Sequence, residues 1–130
     1  MAKVLLVDDN QLVEKVVRYY LGRYGWEMEF CNGPFGVLHT IKEYKPDFVL
    51  LDLMMPGLSG PNLASLMKQM RERDSFKLIS FSSEAEKMQK DLVNVGLIDA
   101  YFVKGSTLEG LKELMEKTAV TEAARSSDAA

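Results

Sequence analysis

Four short, unbroken apolar runs constrain this chain more than any other feature. They are Val4-Leu5-Leu6-Val7, Phe48-Val49-Leu50-Leu51, Leu78-Ile79-Ser80-Phe81 and Tyr101-Phe102-Val103. Each is of strand length, and the lack of alternation means that both faces are covered, as in a parallel sheet packed between helices. A fifth stretch, Trp26 to Cys31, sets Trp26, Met28 and Phe30 against Glu27 and Glu29, the pattern of a half-exposed edge strand. Between the runs the apolar period turns helical. Leu12, Val13, Val16, Val17, Tyr20 and Leu21 form a first stripe, ended by Gly22 and Gly25. Phe35, Leu38, His39 and Ile41 mark a second helix, which Pro46 stops; His39 has no partner at ligand spacing and reads as a packing or surface residue. Leu63, Leu66, Met67 and Met70 mark a third, with Ser59 as N-cap and Pro61 in its first turn. A fourth runs from about Glu84 to Val95 with Ala85, Met88, Leu92 and Val95 inward, closing near Gly96. The fifth opens on the capping-box spacing Ser106-Thr107-Leu108-Glu109 and buries Leu108, Leu111, Leu114 and Met115.

Strand then helix, five times over, predicts an α/β fold with a doubly wound five-stranded parallel sheet. Right-handed crossovers favour the order 2-1-3-4-5, with helices on both faces. A length of 130 residues suits one domain, here 1–120, and residues 121–130, rich in Ala and Ser, read as a disordered tail or linker stub. The formal charge of -3 and the absence of a basic patch argue against direct nucleic-acid binding. Cys31 is the only cysteine, which excludes an internal disulfide and a cysteine-built zinc site. No apolar run is long enough for a signal peptide or a membrane span, so the expectation is a soluble, cytoplasmic protein with no membrane partner.

Chemistry gathers where the strands end. The first run leads into Asp8-Asp9, the third strand into Asp52, the fourth into Ser82-Ser83 and the fifth into Lys104. In a parallel sheet these carboxyl ends share one edge, where doubly wound folds bind ligands. Two carboxylates about 5 Å apart repel by about 3 kcal/mol at an effective dielectric near 20, so three of them must raise their pKa values or recruit a cation. Lys104 supplies one charge. With oxygen ligands alone on offer, the metal should be hard, Mg²⁺ first and Mn²⁺ second. A metal and a lysine beside a carboxylate suit phosphoryl transfer to Asp52, with Ser82 contacting the moving group. A flavin site would need a phosphate loop rich in hydroxyls or glycine after the first strand, where Asp8-Asp9-Asn10 would instead repel a phosphate, and a nucleotide-hydrolysing domain would need Gly-x-x-x-x-Gly-Lys-Ser/Thr, which is absent. An aspartate-nucleophile phosphatase would carry a second aspartate where this chain has Met54.

These residues give the chain a resemblance to the receiver domains of bacterial two-component response regulators, which are flavodoxin-like in topology. It rests on Val4-Leu5-Leu6-Val7-Asp8-Asp9, on Asp52-Leu53-Met54-Met55-Pro56-Gly57-Leu58-Ser59-Gly60, on Ser82 and on Tyr101-Phe102-Val103-Lys104. The resemblance implies that Asp52 is the phosphoacceptor, supplied by a sensor histidine kinase or a histidine phosphotransfer protein. It implies Mg²⁺ bound directly by Asp9 and largely through water by Asp8, with Asp52 and the Met54 backbone carbonyl as further ligands. Lys104 would pair with Asp52 and then with the phosphoryl oxygens, Ser82 would hydrogen-bond them, and Tyr101 would be a coupled aromatic switch. Such a protein is a phosphoacceptor regulator rather than an enzyme, apart from its own phosphoryl uptake and slow self-dephosphorylation. Its output would pass through the fourth helix, fifth strand and fifth helix to a downstream protein or a second copy. The rival reading is a receiver-like scaffold that works without phosphorylation, whose usual mark is a missing acid or lysine. Gly105 stands where the family usually has a cis proline, so a trans bond is expected, since cis costs about 2.5–4 kcal/mol without proline. Before phosphorylation, the loop carrying Ser82 is expected to move freely.

Overall fold

The computed structural model describes residues 2–57, 60–105 and 107–129, with side chains described as far as residue 120. The elements alternate: β1 (Lys3–Val7), α1 (Gln11–Gly22), β2 (Glu27–Cys31), α2 (Val37–Tyr44), β3 (Phe48–Leu51), α3 (Gly60–Asp74), β4 (Lys77–Ser82), α4 (Glu86–Asn94), β5 (Ala100–Val103) and α5 (Leu111–Ala129). The strands form one parallel sheet in the order β2-β1-β3-β4-β5, as the sequence predicts.

Successive side chains of a strand point to opposite faces, so the sheet divides the core in two. Leu5, Val7, Val49, Leu51 and Leu78 face α2, α3 and α4, against Val37, Ile41, Leu63 and Met67. Val4, Leu6, Leu50, Ile79 and Phe81 face α1 and α5, against Val17, Leu21, Leu111 and Met115. β2 is the alternating edge: Met28 is buried and Glu27 and Glu29 are exposed. Trp26 precedes this strand and stacks on Phe48, ring centroids 5.8 Å apart.

Several expected core positions turn outward. In α1, Val13, Val17, Tyr20 and Leu21 pack inward, whereas Leu12 and Val16 are exposed, because the apolar stripe is wider than the sheet can cover. In α3 the buried face includes Ala64, which rotates Leu66 into solvent. In α4, Gln89 takes the centre of the buried face, and Val95, at the C-cap, is exposed. Phe35 precedes α2 and is exposed, as is His39 within that helix.

The expected caps at Ser59 and Ser106 lie outside the described residues. α5 starts at Leu111, later than the capping-box spacing suggests. Its start is fixed from elsewhere: the Lys112 amide donates to the Tyr20 hydroxyl of α1 at 3.1 Å. This satisfies one of the amides that a helix start leaves without an intrahelical partner. The helix also takes in the stretch to Ala129 that reads from sequence as a tail, in keeping with the high helix propensity of its alanines.

Candidate functional site

The ladders that pair the strands deliver the acids and the lysine to one edge. The Asp52 amide donates to the Val7 carbonyl at 2.9 Å, so Asp52 sits beside the end of β1. The Lys104 amide donates to the Ser82 carbonyl at 2.8 Å, which sets Lys104 beside the end of β4. Asp8, Asp9 and Asp52 thereby converge, each offering a carboxylate oxygen within 4.8 Å of the others. The sequence places all of these side chains correctly at this edge.

Their environments differ. Asp8 and Asp52 are buried, whereas Asp9 is exposed. Asp8 Oδ1 accepts from the Asn10 amide at 2.9 Å, and Asp52 Oδ1 accepts from the Met54 amide at 3.0 Å, each a turn that the acid folds around itself. Lys104 Nζ lies 2.6 Å from Asp8 Oδ2 and 3.5 Å from Asp52 Oδ2, bridging the two buried carboxylates. Burial nonetheless outweighs this ammonium at Asp8 and pushes its carboxyl above the ordinary range, with the Asp52 charge adding to the rise.

Asp8 Oδ2 is buried and lacks a well-directed hydrogen bond, although the ammonium is in ionic contact with it. An under-coordinated carboxylate oxygen next to two further carboxylates is a donor set for a hard divalent cation, and the residues present fit Mg²⁺. Met54 lies on the loop immediately after Asp52 and is exposed, with its Sδ accepting from the Ser83 hydroxyl at 3.4 Å.

Ser82 is buried, and its Oγ accepts from the Glu84 amide at 3.2 Å, which leaves the hydroxyl hydrogen to donate. The end of β4 at Ser82 and the loop after it are tied to α4. Gln89 of α4 donates from Nε2 to the Ser82 and Glu84 carbonyls at 3.2 and 2.9 Å. Sequence reasoning missed Gln89. The signal for it was Ser80, a polar residue inside an otherwise apolar strand, which when buried requires a partner. Tyr101 is half-buried on β5, and its hydroxyl donates to Glu86 of α4 at 2.8 Å, which raises the pKa of the phenol. Among the described residues no peptide bond is cis, so the Lys104–Gly105 bond is trans, as expected.

Two apolar surfaces flank the acids. One is a groove of about 240 Å³ between α1 and the loop after β5, lined by Leu12, Val13, Val16, Lys104, Gly105 and Leu108 among others. The other, of about 390 Å³, joins Asp9 to Asn32, Gly33, Pro34, Phe35 and Pro56. Among the described residues no helix is long and apolar enough to cross a membrane.

Residues 4–117 match the family model of the response regulator receiver domain. The chain is 31% identical over 106 residues to the transcriptional regulatory protein MalR of Bacillus subtilis (strain 168), a match covering 80% of this chain and 44% of that protein. It therefore spans less than half the length of that relative. With the polar-differentiation response regulator DivK of Brucella anthropi it shares 27% identity over 101 residues, 78% of this chain and 82% of DivK. Among solved structures, the response regulator TrrA of Thermotoga maritima, in complex with Mg²⁺-BeF, superposes with a TM-score of 0.79 at 26% identity, covering 91% of this chain and 99% of that one. The chemotaxis protein CheY4 of Vibrio cholerae shares the fold with a TM-score of 0.78 at 22% identity, covering 91% of this chain and 98% of that one.

Proposed function

The chain belongs to the response regulator receiver domain family of phosphorylation-dependent two-component signalling proteins, and from that premise we propose that Asp52 is its phosphoacceptor. The carrying observation is the shared edge on which Asp8, Asp9 and Asp52 meet Lys104. The donor is a histidine kinase or a histidine phosphotransfer protein in the cytoplasm. A carboxylate oxygen of Asp52 forms the new O–P bond as the donor's N–P bond breaks. The electron pair returns to the imidazole nitrogen, which takes up a proton from solvent.

Asp8, Asp9, Asp52 and the Met54 carbonyl would hold Mg²⁺, which would supply positive charge to the phosphoryl oxygens. Lys104, already close to Asp52, adds a charge-assisted bond to the same group, and Ser82 donates its hydroxyl hydrogen. These two bonds exist only in the phosphorylated state, so they bias the loop after β4 and, through it, α4 and Tyr101. The exposed Leu12 and Val16 beside Lys104 suit the apolar face of a donor helix. The output leaves by the α4-β5-α5 face, where Val95 and Val103 are exposed, toward a downstream protein or a second copy. We take 1–120 as the working domain.

The test is labelling by a small acyl phosphate. Mass spectrometry should find one phosphoryl adduct in the wild type, lost in Asp52→Asn and lost in chelator. Labelling that needs no metal, or that falls on a serine, refutes the reading. A folded wild type that takes up no phosphate favours the scaffold reading instead.

A further inference from the structure

Gln89 is fully buried on α4, and no step of the phosphoryl chemistry uses it. Its amide makes three hydrogen bonds. Oε1 accepts from the Ser80 hydroxyl at 2.7 Å, and Nε2 donates to the Ser82 and Glu84 carbonyls at 3.2 and 2.9 Å. The orientation of the amide follows from its partners, because carbonyl oxygens only accept and so must face the nitrogen. Ser80 lies on β4 in the middle of the sheet, paired with Leu51 on one side and Tyr101 on the other. The oxygen of the amide is thus tied to the interior of β4 at Ser80, while its nitrogen grips the end of that strand at Ser82 and the loop beyond it at Glu84.

We propose that Gln89 is a positioning residue that clamps the Ser82 loop to α4, so that a shift of Ser82 toward a phosphoryl group carries α4 with it. Buried polar groups strongly resist losing their partners. The Ser82 carbonyl also accepts from the Lys104 amide of the β4–β5 ladder, so a shift of the Ser82–Glu84 segment must either break the Gln89 Nε2 contacts or move the helix that bears them. The second course keeps every partner satisfied. Gln89 shares the buried face of α4 with Met88, Leu92 and Val93, which pack against the core. The inference rests on Asp52 being the phosphoacceptor.

The experiment is NMR of the full chain with Mg²⁺ and beryllofluoride, a phosphoryl mimic. In the wild type, amide shifts should change at Ser82 and along α4, and the Gln89 side-chain NH₂ signals should shift while staying protected from exchange. Gln89→Met keeps the length of the side chain but removes both donors. In that variant the shifts from Glu86 to Asn94 should be lost while those at Asp52 and Ser82 persist. Ser80→Ala removes only the strand contact and should keep the α4 response. An undiminished α4 response in Gln89→Met, or equal loss in both variants, overturns the proposal. If Gln89→Met fails to fold, unchanged Gln89 NH₂ signals in the wild type overturn it independently. A wild type that never responds to beryllofluoride overturns the phosphoacceptor reading, and the clamp with it; a wild type that responds without α4 overturns the clamp alone.

Discussion

At Asp8 the fold holds a charge that its surroundings only partly compensate. Burial raises its carboxyl above the ordinary value of 3.8, against the lowering effect of Lys104 and the Asn10 amide. In metal-free protein the folded state therefore binds the Asp8 proton more tightly than the unfolded chain does. The stability this gives is present below 3.8 and is lost as pH rises through the raised folded value. Asp8→Asn, which removes the charge and keeps the shape, should raise the urea midpoint at neutral pH in chelator. The gain should fade as pH falls through that window, where the wild-type carboxyl is itself protonated. An Asn variant less stable than wild type at neutral pH would show that the ion pair with Lys104 outweighs burial. The strain is of the kind expected at a functional site.

Among the elements, α5 shows how a helix start can be decided by a distant residue. Its Lys112 amide is met by Tyr20, 92 positions earlier in the chain. Tyr20→Phe keeps the ring in the core and removes this acceptor, and should cost about 1 kcal/mol in urea denaturation, the usual value of a helix cap. A negligible cost would mean that water replaces the phenol. α1 offers a contrasting pair at its C-terminal end. Gly22 lies within the helix, and a Cβ built there meets nothing within 4 Å. Gly22→Ala should stabilise the protein by about 0.5–1 kcal/mol. Gly25 has φ +75, a conformation L side chains rarely adopt, so Gly25→Ala should destabilise it. Equal effects of the two substitutions would refute the backbone argument.

On the scale of the whole molecule, the site ties ligand binding to global stability. A cation that binds only the folded state stabilises it by about 2.7 kcal/mol at one hundred times its Kd. Thermal unfolding in rising Mg²⁺ should therefore shift steadily upward. Asp9→Asn should abolish the shift yet leave the metal-free midpoint nearly unchanged, because Asp9 is exposed. A Mg²⁺ response that survives this substitution would place the cation elsewhere. The edge of the sheet that bears the acids also carries the segment from Ser82 to Glu84, whose carbonyls Gln89 of α4 holds.

Strand number, strand order and the edge on which Asp8, Asp9, Asp52 and Lys104 meet were all legible in the sequence. Unbroken apolar runs and handed crossovers are local or chirality rules, and a parallel sheet turns strand ends into neighbours without further information. What the sequence left open were the choices that depend on a partner far along the chain. Gln89 is absent from the inward positions that the pattern of the fourth helix gives, Ala85, Met88, Leu92 and Val95, because burial of an amide becomes tolerable only once Ser80 and the Ser82 and Glu84 carbonyls meet its hydrogen bonds. Leu12, Val16 and Leu66 read as core because their spacing is right, and only the width of the sheet decides how much of a stripe it covers. The start of α5 belongs with these, because the acceptor that settles it sits on α1. Periodicity is a property of the chain alone, whereas the satisfaction of buried polar groups is a property of pairs, and only the tertiary structure forms the pairs.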